Sequence, residues 1–266
     1  MHCRVSAVLL SVIVSGFPQI NAQSADAPDK GKQVVDAAVA ALGGERFLDM
    51  HTRVASGRIY SFFKDEMSGS DIARTYVEYV DGKPLGIRER EVLGKKQDYS
   101  YLFLPDQGWD ITFRGARPVE DEAWERYRRS TENDILYILK VRHNEPGFTY
   151  DYIANEVHVS THVEVVDITD SQNRTVRVSF DYNTKLPVRQ TFTWLDPDTR
   201  YRNEEVTEFD KWRNAGDGVM WPFTIERSRN GYKSYQMFAS SVEVNAPIPT
   251  NTFELPAGAK VLKKVN

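Results

Sequence analysis

Residues 175–182 read Thr175-Val176-Arg177-Val178-Ser179-Phe180-Asp181-Tyr182, residues 183–185 read Asn183-Thr184-Lys185, and residues 187–195 read Pro187-Val188-Arg189-Gln190-Thr191-Phe192-Thr193-Trp194-Leu195. Val176, Val178, Phe180 and Tyr182 alternate with Arg177, Ser179 and Asp181. After the turn residues, Val188, Phe192 and Trp194 alternate with Arg189, Thr191 and Thr193. Successive side chains of a strand point to opposite faces, so the stretch predicts a hairpin with one apolar and one wet face. Phe180, Phe192 and Trp194 are expected to share the apolar face. A sheet of this kind has to cover that face with helices, a second sheet or a ligand.

The same pattern extends outward in both directions. Strands are predicted over residues 149–153, 157–168, 203–213, 220–228 and 233–244, with short turns between them that imply an antiparallel meander. Upstream, residues 54–63, 72–80, 87–93 and 98–104 repeat it, and residues 109–113 add a further hairpin arm. Two segments break the period. Residues 32–42 carry Val34, Val35, Ala38, Val39 and Leu42 at helical spacing and stop at Gly43-Gly44. Residues 118–143 form a helical insert that opens on Glu120-Asp121-Glu122 and breaks near residues 131–134, where Asp134 or Thr131 is the natural cap. The predicted fold is mainly β (α+β). It consists of a single strongly curved antiparallel sheet of about 11 strands, with helices covering the concave face.

Residues 1–22 have the layout of a secretory signal peptide: Arg4, an apolar run from Val5 to Val14, then Gly16 and Pro18 ahead of Ile20-Asn21-Ala22. The run is about half the roughly 20 residues that a spanning helix needs. Export with cleavage near Ala22 is the expectation, followed by a flexible leader over residues 23–31 and one domain over residues 32–262. The single cysteine, Cys3, precedes the apolar run, so neither a lipid anchor at the cleavage point nor a disulfide framework is indicated. The formal charge of −4 becomes one unit more negative if Arg4 is removed. A mildly acidic chain without a basic patch argues against nucleic acid as a partner.

The element order resembles the lipoprotein-carrier family of the bacterial periplasm, in which helices close a half-barrel over a hydrophobic cavity. The residues that carry the resemblance are the Gly43-Gly44 stop, the Tyr101 to Trp109 hairpin, the helical insert, residues 181–188, and Phe253-Glu254-Leu255-Pro256-Ala257-Gly258-Ala259 at the end of the sheet. The resemblance covers roughly residues 30–260 and implies a periplasmic, monomeric, non-catalytic carrier. Its partners would be a lipid or acylated lipoprotein, together with an inner- or outer-membrane protein. It also implies an arginine that holds the lid, for which Arg53, Arg58 and Arg74 are candidates. An envelope sensor or interaction module of the same fold is the alternative, and an enzyme with an unrecognised site is the third.

A carrier needs no reactive group: each buried methylene contributes about 0.8 kcal/mol. The inward aromatics Tyr101, Phe103, Phe180, Phe192, Trp194 and Phe223 are the expected cavity lining, or else the filling of a closed core. No cofactor is expected. His158 and His162, if on one strand, stand about 13 Å apart and cannot share a metal ion. Glu120, Asp121, Glu122 and Glu125 read as a solvated first helical turn rather than as paired catalytic acids. Ser100, Ser240 and Ser241 lack the glycines of a nucleophile elbow, and Gly82 and Gly94 belong to hairpins without a phosphate-binding pattern. Asn173 starts a glycosylation sequon in a turn and decides nothing. No catalytic or metal residue is assigned.

Overall fold

The computed structural model describes residues 27–82 and 84–264, so residues 1–22 and the start of the predicted leader lie outside it. Helix α1 spans Ala27–Leu42 and α2 spans Glu45–Leu48. Strands β1 (Thr52–Phe63), β2 (Glu66–Tyr79), β3 (Ile87–Leu93), β4 (Tyr99–Phe103), β5 (Gly108–Thr112) and β6 (Gly115–Pro118) follow. The insert consists of α3 (Asp121–Glu132), α4 (Ile135–Tyr137) and a π-helical turn (Ile138–Arg142). Then come β7 (Thr149–His158), β8 (Thr161–Thr169), β9 (Thr175–Asp181), β10 (Pro187–Leu195), β11 (Arg202–Asn214), β12 (Met220–Arg229) and β13 (Tyr232–Val244).

All the strands form one open antiparallel sheet of 13 strands, ordered β6-β5-β4-β3-β2-β1-β13-β12-β11-β10-β9-β8-β7. The count exceeds the expected 11: the arm read over residues 109–113 is the full strand β5, and Gly115–Pro118 add β6 beyond it. A further correction falls on residues 157–163. These are not one strand but a turn at Val159-Ser160, with Val157 opposite His162 and His158 opposite Thr161. Val159 adopts a positive φ there, which a β-branched residue reveals poorly in sequence. Tyr182 lies just past the end of β9 and is exposed, so it leaves the apolar face that Val176, Val178 and Phe180 share. Register places Phe192 opposite Val176 and puts Trp194 on the same face.

The order of strands has a topological consequence. The first and last strands pair in the middle of the sheet, and the two edges, β6 and β7, are consecutive in sequence. The helical insert therefore has to run from one edge to the other. Tyr127 of α3 stacks on Phe103 of β4 at 3.7 Å, and Arg129 of α3 lies 4.3 Å from the ring of Trp194 on β10. Those strands are seven steps apart in the sheet, about 34 Å if it were flat. Two helical residues whose Cα atoms stand about 5 Å apart cannot reach both unless the sheet curls around the helix.

Core packing follows from this curl. Val34, Val35, Ala38 and Leu42 of α1, with Phe47 of α2 and Ile135, Ile138 and Leu139 of the insert, bury against Val166, Ile168, Val176, Val178 and Phe180. α1 begins ahead of Lys32, where periodicity placed it, and lies on β7 so closely that a Cβ at Gly31 would stand 2.1 Å from the Tyr150 carbonyl oxygen. α1 ends as predicted: Gly44 N–H bonds the Val39 carbonyl at 2.9 Å and Gly43 N–H the Ala40 carbonyl at 3.2 Å, a Schellman pattern. On the opposite face, Phe253, Leu255 and Ala259 cover Leu102, Ile111 and Ala116, and Ala116 bridges Val261 along edge strand β6. The helix over β7 and the tail on β6 blunt the two open edges. No helix among the described residues is long and apolar enough to cross a membrane.

Candidate functional site

The break in the insert positions the site. Asp134 caps α4, accepting from Leu136 N–H at 2.9 Å and Tyr137 N–H at 3.2 Å. Gln190 of β10, fully buried, accepts from Ile135 N–H at 2.7 Å and donates to the Asn133 carbonyl at 3.1 Å. One side chain thereby satisfies the backbone groups that the break exposes. At the far end, Arg142 donates to the Glu132 carbonyl and to Asp170, which also accepts from Arg174. Burial alone would raise the Asp170 carboxyl, but the hydrogen bonds from Arg174 and Arg142 outweigh it and hold the group below the usual carboxylate range. α4 and the π-helical turn bury Ile135, Leu136, Tyr137, Ile138 and Leu139, whereas α3 buries none of its residues fully.

Under α3 the inward face of the sheet changes character. Register carries it through Arg53 (β1), Tyr79 (β2), Glu89 and Glu91 (β3), and Tyr99, Tyr101 and Phe103 (β4). From the other arm come Tyr235 (β13) and Arg227 (β12). The β4 aromatics form a ladder, with ring spacings of 5.1 Å from Tyr99 to Tyr101 and 6.2 Å from Tyr101 to Phe103. Tyr127 extends it and donates to Glu89 at 3.1 Å. Arg227 lies 3.9 Å from Asp134 and 5.6 Å from the ring of Tyr235. Burial pushes Glu89 and Asp134 up despite Arg53 and Arg227 nearby, and pushes Tyr79 up to about 12. Glu91 is pushed up to about 7, by burial first and then by Glu89. Among the described residues it has neither an ion-pair nor a hydrogen-bond partner. These side chains keep part of their surface, and beside them Trp124 and Tyr127 of α3 pack on the buried cluster of Val77, Leu85, Ile87 and Tyr137.

On the other flank of α3 a cleft of about 440 Å³ opens between the helix and the ends of β9 and β10. Arg128, Arg129, Arg174, Phe192, Trp194 and Arg202 are among its walls.

The six aromatics named from the sequence divide between these regions. Phe180, Phe192 and Phe223 are buried in the packed core, at 0%, 3% and 8% exposure, with Phe192 also touching the floor of the cleft. Tyr101 and Phe103 belong to the β4 ladder, and Trp194 stands in the cleft. Of the three arginine candidates only Arg53 is on the helix-covered face, its guanidinium 4.6 Å from the Trp221 ring; Arg58 and Arg74 are exposed on the other. Glu89, Glu91, Arg227 and Arg229 were not singled out from the sequence. Their signal was a charge at an inward position, most visibly in Ile87-Arg88-Glu89-Arg90-Glu91, where charges fall on both faces of one strand. His158 of β7 bonds Glu208 of β11 at 3.1 Å, from strands that are not neighbours in the sheet, and Asp121 pairs with Lys264 while Glu125 pairs with Arg128. No three His, Cys, Asp or Glu side chains converge to hold a metal among the described residues.

An open antiparallel sheet curled around a helical insert is the half-barrel architecture. Solved structures bear this out: the fold is shared with outer-membrane lipoprotein-sorting and LolA-superfamily proteins. A domain from Vibrio parahaemolyticus described as an outer-membrane lipoprotein-sorting domain matches at 12% identity and TM-score 0.56, covering 85% of this chain and 97% of that one. A DUF1329-family protein from Desulfovibrio piger matches at 11% identity and TM-score 0.59, covering 86% and 98%. A LolA-superfamily protein from Nitrosomonas europaea matches at 11% identity and TM-score 0.50, covering 84% and 96%. At these identities the likeness is one of fold. No family model matches the chain, and no curated protein does at a meaningful level.

Proposed function

We propose that this protein is an exported, non-catalytic binding protein that carries a lipid or lipoprotein acyl chain in the interior beneath α3. One observation supports the reading above the others: α3 crosses the curled sheet without fully burying a residue, while the neighbouring α4 and π-helical turn bury six. A lid held by ring stacking and exposed ion pairs opens at modest cost, as reversible loading requires. Tyr101, Phe103 and Trp194 are the lining in this reading, joined by Tyr99, Tyr127 and Tyr235. Phe180, Phe192 and Phe223 serve as the packed support.

The polar set around Glu89 and Arg227 favours a second reading, an interaction module of the same fold that senses a ligand without transporting it. Mass spectrometry of organic extracts from protein purified without detergent tests the proposal. Lipid should co-purify and be lost in Tyr101→Asp and Phe103→Asp. Folded wild-type protein that carries no lipid and takes up no naphthylamine probe would leave the interaction module standing instead. Export with a mature start near Gln23 belongs to the same proposal, and N-terminal sequencing that finds Met1 would refute it.

A further inference from the structure

Two arginines crowd one indole at the edge of the cleft. The guanidinium of Arg129, on α3, lies 4.3 Å from the centre of the Trp194 ring, and that of Arg229, on β12, lies 5.4 Å from the same ring. Burial and then the nearby Arg229 charge both push against protonation of Arg129. The Nε of each arginine is buried without a hydrogen-bond partner among the described residues.

The carboxylates around the pair do not neutralise it. Arg129 faces Glu205, Glu125 and Arg126 as well as Arg229, and Asp196 feels its charge from a solvent-exposed position, where its carboxylate accepts from Asp198 and Thr199. Glu205 is buried, accepts from Ser130 at 3.1 Å and lies 3.6 Å from Arg229, so it balances one guanidinium. Glu125 is taken by Arg128 at 2.6 Å, and Glu132 by Arg128 and Arg174. Arg202 on the cleft wall adds a further positive charge. A partly desolvated surplus cation opposes folding unless something outside the chain completes it. The surplus also stands in a protein of net charge −4, so it is not part of a general basic surface.

We propose that this cleft binds the oxyanion of a ligand, a phosphate, sulfate or carboxylate, between Arg129 and Arg229, with the adjoining part of the ligand against Trp194. The planar forks suit a two-oxygen contact, and the shared indole holds both near the position they need before the ligand arrives. The inference rests on the carrier reading and narrows it to anionic amphiphiles.

Calorimetry on the purified protein, with dodecyl phosphate, uncharged dodecyl maltoside and inorganic phosphate as probes, separates the possibilities. Dodecyl phosphate should bind, weaken about tenfold or more in Arg129→Gln and in Arg229→Gln, and stay unchanged in Arg126→Gln, a solvent-facing control on the same helix. Arg129→Gln should melt no lower than wild type, since a surplus charge is removed; a clear drop would make Arg129 structural and overturn the assignment. Phosphate that binds through the arginines with no gain from the dodecyl chain would leave the anion site and remove the carrier. Both amphiphiles binding alike, whatever stands at 129 and 229, would leave the carrier and remove the anion site. No binding by any probe would remove both.

Discussion

Over β8 and β9, α1 and α4 meet Val166, Ile168, Val176, Val178 and Phe180, all of them buried. Over β3 and β4, α3 meets Glu89 and Phe103, both partly accessible, beside the buried cluster of Val77, Leu85 and Ile87. The same curled sheet supplies both surfaces, and the covering helices differ to match: α1 is small-residue and apolar on its inner side, while α3 is charged nearly throughout. One half is packed to hold the curl. The other keeps part of its surface, because fewer of its inward side chains are apolar and fully buried.

Cavity-forming substitutions break this comparison most sharply. Phe180→Ala should cost about 3–5 kcal/mol, whereas Phe103→Ala, whose ring is only partly covered, should cost about 1 kcal/mol; urea denaturation of the two variants measures the difference. Equal losses would show that the β4 side is packed as tightly as the β9 side.

Next in size is the buried anchor of the insert. Asp170→Asn removes the buried carboxylate that Arg142 and Arg174 share and should cost about 3 kcal/mol. The Asp170 group is depressed in the fold, so its contribution is present above the unfolded pKa near 3.8 and is lost as pH falls through the still lower folded value. The stability difference between wild type and variant should therefore shrink only at strongly acid pH.

The smallest expected effect has the opposite sign. Glu91 is raised from 4.5 to about 7, so the folded state holds its proton longer than the unfolded chain. Stability should fall as pH rises from about 4.5 to about 7 and stay reduced above that. Glu91→Gln should remove this slope and stabilise the protein at pH 8 by on the order of 1–2 kcal/mol. Thermal melts from pH 4 to pH 8 would show whether the slope follows Glu91, and an unchanged slope in the variant would place Glu91 in open solvent.

Legibility in the sequence tracked locality. The hairpin of residues 175–195, the Gly43-Gly44 stop and the Asp134 cap were readable because strand alternation, turn chemistry and capping act over a few residues. The split at Val159-Ser160 escaped because a β-branched residue occupies the positive-φ position of the turn. The short strand β6 was blurred by Gly115 and Pro118 at its ends, while β5 was readable as the arm over residues 109–113. Gln190 was the most instructive oversight. A polar side chain at an inward position among Phe192 and Trp194 announces a buried backbone that needs a partner, though not which one.

The sequence by itself determined a mainly antiparallel sheet with one apolar face, a leading amphipathic helix and a helical insert, since each of these follows from side-chain period and local backbone preference. Only the tertiary structure decided that β1 and β13 pair in the centre, that the insert joins the two edges, and that Phe180 is fully buried while Phe103 keeps part of its surface beneath Tyr127. It alone brought Arg129 and Arg229 together over Trp194, from positions 100 residues apart. Inward-facing is a property of one strand, but filled or unfilled depends on how far the whole sheet curls and what crosses it.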